Sequence, residues 1–301
     1  MIRKLIYSTL LPVSIMIGGC TSSTSKSDSG EKLNIVVSIP PQKYLVESLG
    51  GEYVQVKSVM TSDANPESFE PTVNTMLAIA DADAYVPLGL LDFEKPLIEK
   101  LRSNSPELPI FDGSKDVTLL YDTHGDCEHH HDEGEHHHHH DNAADPHIWS
   151  SVKNMRKMAV ATADLLIEKA PEHAEYFKHR RDSMVARLDS IENHMASSVK
   201  SSPSSGFLVW HPSLSYLAND YNLKQIVVGS HAKELSVKQL QQRIEDAVAS
   251  GATIFFIQKE FDSDQAEIIN SHINARLVEL NTMNEDWESE MQKIADGFNG
   301  K

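Results

Sequence analysis

From Ser151 to Ser198 the chain reads as helix almost without interruption, and this stretch decides how everything else can be arranged. The single break is Ala170-Pro171, where one helix must stop and another can start, because an interior proline lacks the N–H and clashes with the preceding turn. Phe177, Met184, Leu188, Ile191 and Met195 then recur at spacings of seven, four, three and four, an apolar stripe on one helix face. Such a stripe must be covered along its length. The span 149–203 is therefore expected to be a rigid helical link between two bodies that pack along it.

Both flanks read as alternating strand and helix. Before the link come strands at Leu33–Ile39, Tyr53–Val59, Ala84–Leu88 and Pro109–Asp112. Helices are expected from Pro40-Pro41 to Gly50-Gly51, from Pro71 to Asp81 and over Glu94–Arg102. After the link, strands at Gly206–Trp210, Gln225–Val228, Thr253–Gln258 and Arg276–Asn281 alternate with helices at Ser213–Tyr221, Ser236–Ser250, Asp264–Asn274 and Glu285–Phe298. Alternation of this kind implies parallel pairing. The expected fold is α/β, with two similar lobes of mainly parallel four-stranded sheets, residues 33–148 and 204–301, joined by the long helix with a cleft between them.

The first nineteen residues stand outside that fold. Arg3 and Lys4, the apolar run Leu5–Ile17 and the ending Ile17-Gly18-Gly19-Cys20 have the form of a lipoprotein signal, with cleavage before Cys20 and lipid on its sulfur. The Ser/Thr-rich residues 20–32 have the composition of a flexible tether. The expected product is exported and lipid-anchored to a bacterial membrane, on its periplasmic or extracellular face. A net charge of −17 argues against nucleic acid and favours cationic ligands. With Cys20 committed to lipid, Cys127 has no internal partner, so no disulfide staples the fold.

In open parallel sheets, ligands bind beyond the carboxyl ends of the strands. Four candidate ligands follow strands there: Glu67 and His147 in the first lobe, His211 and Asn281 in the second. His147 sits in Asp145-Pro146-His147-Ile148-Trp149, where the proline forces an extended or turn conformation, Ile148 and Trp149 anchor the chain, and Ser150 or Ser151 can cap the next helix. An isolated histidine there would ordinarily satisfy a turn. Nine histidines just upstream, and a second framed histidine in Trp210-His211-Pro212, turn the reading to a metal ligand. His231 and Glu260 lie on loops at the same edge, whereas His173, His179, His194 and His272 fall in helices and are expected to be solvated.

Residues 122–142 hold His124, His129, His130, His131, His136, His137, His138, His139 and His140, interleaved with six acids from Asp126 to Asp141. With almost no apolar residue the segment cannot fold alone, and its imidazoles form several weak, exchangeable metal sites.

With these residues in view, the chain resembles the metal-binding proteins of zinc and manganese ABC importers, the family often called cluster 9. The resemblance runs from Leu33 to Phe298 and is carried by Val36-Val37-Ser38-Ile39-Pro40, Asn65-Pro66-Glu67-Ser68-Phe69-Glu70-Pro71, Asp145-Pro146-His147-Ile148-Trp149 and Val209-Trp210-His211-Pro212. It implies two lobes joined by a long helix, Zn2+ as the carried ligand with Mn2+ as the alternative, and an ABC permease with its ATPase as partners of a monomer. This chain departs from the family in having Glu67 where histidine is usual and Asn281 where an acid is frequent. A zinc hydrolase would need a motif such as His-Glu-x-x-His and a general base, and neither is seen, so no enzyme is expected. A zinc-buffering or adhesin-type surface lipoprotein would need only the histidine segment.

Overall fold

The computed structural model describes residues 32–66, 68–121, 143–229, 236–258 and 263–300. The signal and the tether up to residue 31, Glu67, the histidine segment with Cys127, His231 and Glu260 lie outside the described residues. Strands β1 (Leu33–Val37), β2 (Val54–Ser58) and β3 (Ala84–Val86) form a parallel sheet in the order β2-β1-β3. Strands β4 (Gly206–Val209), β5 (Lys224–Val227), β6 (Ile254–Gln258) and β7 (Arg276–Leu280) form a second, in the order β5-β4-β6-β7 and parallel throughout. The central strands β4 and β6 are largely apolar and wholly buried, and β1 is buried from Ile35 to Val37, as strands covered on both faces must be.

The first sheet departs from the expected four strands. Of Pro109–Asp112 only Ile110 pairs, as an isolated parallel bridge with Tyr85. Pro109 accepts from Tyr85 N–H but has no N–H of its own, so the ladder cannot extend toward the chain's start. β1 likewise stops two residues short of Ile39. Gln42, in the first turn of α1 (Pro40–Gly50), accepts from the N–H groups of Ser38 and Ile39 and so ends the strand where the helix begins.

The link consists of two helices. α4 (Val152–Lys169) is capped by Ser151, whose hydroxyl accepts from Asn154 N–H, and α5 (Ala174–Ser201) follows after a 3-10 turn at Pro171–His173. Arg156 near the start of α4 pairs with Asp189 and Glu192 well along α5, so the two helices run antiparallel. The apolar stripe is buried at Phe177, Met184, Leu188 and Met195 and half-buried at Ile191. It lies against α1 of the first lobe and α9 (Trp287–Asn299) of the second. His173 is not simply solvated as expected: its ring stacks on Tyr53 with centroids 3.7 Å apart.

The strand-end loops are held by buried polar side chains. Glu94, at the start of α3 (Glu94–Asn104), is fully buried and accepts from the N–H groups of Leu88, Leu90 and Leu91 and from the Ser38 hydroxyl. Burial pushes its carboxyl up and these donors offset only part of that rise. The loop so fixed leads to Phe93, against which Phe69 packs edge-on at 5.0 Å, two residues beyond Glu67.

Candidate metal centre

His147 and His211 are brought together at the carboxyl ends of the two sheets, their Nε2 atoms 3.3 Å apart and both residues buried. They lie 64 positions apart in the chain and belong to opposite lobes. The local reason on the first side is the Asp145-Pro146 turn. Asp145 Oδ1 accepts from the backbone N–H of His147 at 2.9 Å and meets its ring Nδ1 at 2.9 Å. A carboxylate only accepts, so Nδ1 carries the proton and Nε2 presents a lone pair toward His211. Burial alone would raise the Asp145 carboxyl. The donors from His147, its charge and the Ser215 hydroxyl outweigh that cost and hold it well below the usual carboxylate range.

On the other side, Gln258 at the end of β6 holds His211 at both backbone groups. Its Oε1 accepts from His211 N–H at 3.2 Å, and its Nε2 donates to His211 O and to Ser213 Oγ, each at 2.6 Å. Between the lobes, the buried Trp149 donates from its indole to Thr282 O at 2.9 Å, and Trp287 donates to Trp149 O at 2.8 Å. Tyr216, on α6 (Ser215–Tyr221), donates to Asp145 O at 2.8 Å. Burial pushes its phenol up to about 12, so it remains a donor at neutral pH.

Asn281 reaches the same interface. Its Nδ2 donates to Ser62 O at 3.0 Å across the lobes, its Oδ1 accepts from Met283 N–H at 2.9 Å, and its own N–H donates to the buried Glu290 at 2.9 Å. Among the described residues no third His, Cys, Asp or Glu joins the histidine pair in a metal-ligand group. Glu67, the expected anionic ligand, lies outside the described residues.

The separation of the two imidazoles bears directly on metal chemistry. Zinc takes histidine nitrogens at roughly 2.0–2.1 Å in tetrahedral geometry, which places two such nitrogens about 3.3 Å apart. That is the separation observed. Two neutral Nε2 lone pairs facing each other at this distance would repel, so without metal one must carry a proton, and a cation can replace it.

Residues 35–298 match the family described as the periplasmic zinc-uptake complex component A, ZnuA. The chain belongs to this family. It is 26% identical over 275 residues to the high-affinity zinc uptake system protein ZnuA of Bacillus subtilis (strain 168), covering 89% of this chain and 85% of that protein. It is 23% identical over 230 residues to the zinc-binding lipoprotein AdcA of Streptococcus pneumoniae (strain R6), covering 73% of this chain and 43% of that protein. A crystal structure of ZnuA superposes with a TM-score of 0.76 at 30% identity, over 89% of this chain and 100% of the other. ZnuA proteins are metal-binding components of uptake systems and not enzymes, and the two-lobed fold found here is theirs.

Within this ZnuA fold, Tyr216, Gln258 and Trp287 were not singled out by their sequence positions, and Asp145 and Trp149 were read only as parts of the turn that frames His147. The one local signal was Gln258, a polar residue ending the apolar run Ile254–Ile257. Asp145→Asn should lower zinc affinity by about 10 to 100-fold, because it removes the charge that fixes the His147 tautomer and raises its basicity. Competition against a chelator measures this. An affinity within about twofold of the parent would show that the carboxylate serves only the turn.

Proposed function

We propose that this protein captures one zinc ion outside the cytoplasm between His147 and His211 and delivers it to an ABC permease driven by its ATPase. The observation that carries the reading is the 3.3 Å separation of two Nε2 atoms from opposite lobes, one with its tautomer set by Asp145. Two imidazoles bring no negative charge, and a dication leaving water needs some. We assign that role to Glu67, with Asn281 or water completing the shell. Two nitrogen donors favour zinc over manganese, which prefers more oxygen. Residues 33–148 and 204–301 are taken as the lobes and 149–203 as the link. The chain is taken to act as a monomer held to the membrane by lipid on Cys20, with residues 20–32 as its tether.

The histidines of 122–142 are read as weak auxiliary sites that neither build nor close the cleft. What supports this is the stem on either side, where Tyr121 and Ala144 pair in an antiparallel bridge and Asp145 N–H donates to Leu120 O at 2.8 Å. Ends already paired can be joined by a short turn. Replacing 122–142 by a short glycine-rich turn should leave the metal-free protein's unfolding midpoint in place and keep one tight zinc, while the total zinc bound falls. Equilibrium dialysis with a competing chelator tests the reading: loss of the tight site on this deletion would mean that the segment supplies a ligand.

A further inference from the structure

The strands flanking the histidine segment meet directly beside the turn that carries His147. In the register set by the Tyr121–Ala144 bridge, Leu120 and Asp145 lie opposite each other as a hydrogen-bonded pair, which in a regular antiparallel ladder exchanges two N–H···O bonds. One of these is present, from Asp145 N–H to Leu120 O at 2.8 Å. In place of the other stands the Tyr216 hydroxyl, which accepts from Leu120 N–H at 3.1 Å and donates to Asp145 O at 2.8 Å. A phenol from the second lobe is thus built into an isolated antiparallel bridge of the first.

We propose that Tyr216 is a positioning residue for the metal site, setting the place of His147 through Asp145. The proposal rests on the zinc reading above and adds to it a residue whose hydroxyl bonds the backbone at Leu120 and Asp145. With its carbonyl held by Tyr216 and its N–H held by Leu120, Asp145 has both backbone groups fixed, and its carboxylate then orients His147 through the backbone N–H and Nδ1. Tyr216 stands five residues after His211, on the helix that follows that ligand. The same phenol therefore ties the segment behind one histidine to the turn beneath the other, and their separation depends on it. In Tyr216→Phe the ring still packs, but Leu120 N–H and Asp145 O lose their bridging group and can satisfy each other only by moving together, which drags Asp145 away from its present place.

The test is a double-mutant cycle on the full chain, reading tight-site zinc affinity by chelator competition. Tyr216→Phe should bind zinc about tenfold or more weakly, and Asp145→Asn about 10 to 100-fold more weakly. Because Tyr216 acts through Asp145, the double variant should be no weaker than Asp145→Asn alone within about twofold. A Tyr216→Phe affinity within twofold of the parent, or losses that simply add, overturns the proposal. A second reading needs no variant: in the parent protein, zinc should slow hydrogen exchange of the Leu120 amide, and an amide blind to zinc overturns the coupling. Failure of the zinc reading itself is told apart by His147→Ala, which would then leave affinity unchanged.

Discussion

Replacing His147 and His211 together by alanine is expected to abolish the tight zinc site, with a loss well beyond the roughly 100-fold upper range for groups that only orient a ligand. The two Nε2 atoms meet at tetrahedral spacing, and the described residues hold no group of three or more His, Cys, Asp or Glu placed to bind a metal. Chelator competition at neutral pH checks this, and one stoichiometric zinc retained by the double variant would contradict it. The variant should also change how stability responds to acid. In the parent, the folded-state pKa of Asp145 is depressed, so its stabilising contribution is present above the unfolded value of about 3.9 and is lost as pH falls through the lower folded value. Without the His147 imidazole the carboxylate loses its side-chain donor and that partner's charge, so its pKa is depressed less. The contribution therefore shrinks, and the variant gains less stability than the parent as pH rises through the ordinary carboxylate range.

The largest expected effect on stability belongs to Trp287→Ala. Trp287 is almost completely buried, its indole donates to Trp149 O at 2.8 Å, and its ring stacks with Tyr44 of the first lobe at 6.3 Å. Truncating a buried tryptophan costs about 3–5 kcal/mol from lost burial and the cavity left behind. The unpaired Trp149 carbonyl adds about 1–3 kcal/mol if no water reaches it. Against a total stability of about 5–15 kcal/mol this is a large fraction. Denaturant unfolding of the metal-free protein measures it, and a loss below about 1 kcal/mol would mean that the interface repacks around the gap.

The alternation of strands and helices was legible because each element's period and punctuation are local: Pro40-Pro41 opens a helix, Gly251 in the left-handed region closes another, and Ala170-Pro171 breaks the link. The histidine pair was legible for a related reason, since apolar anchors and prolines frame each one. What sequence could not supply was partnership at long range. Tyr216 meets Asp145 across 71 positions, Gln258 meets His211 across 47, and Asn281 meets Ser62 across 219. Nothing in the neighbourhood of any of these residues marks the other end of its bond. The missing fourth strand has a different cause. Pro109–Asp112 has strand composition, but Pro109 on one side of the bridge and Pro87 of the facing segment on the other withhold the N–H groups that a ladder needs, and one bridge is all that forms.

One zinc held between the imidazoles of the two lobes should be visible by X-ray absorption at the zinc edge. The sample is protein with 122–142 replaced by a short turn and loaded with one equivalent of metal, so that the segment's histidines cannot contribute to the signal. Nitrogen or oxygen scatterers only are expected, at roughly 2.0–2.1 Å, with the outer-shell pattern of at least two imidazoles. That pattern should drop by one imidazole in His147→Ala. A first shell without imidazole, or a spectrum unchanged by removing His147, would contradict it.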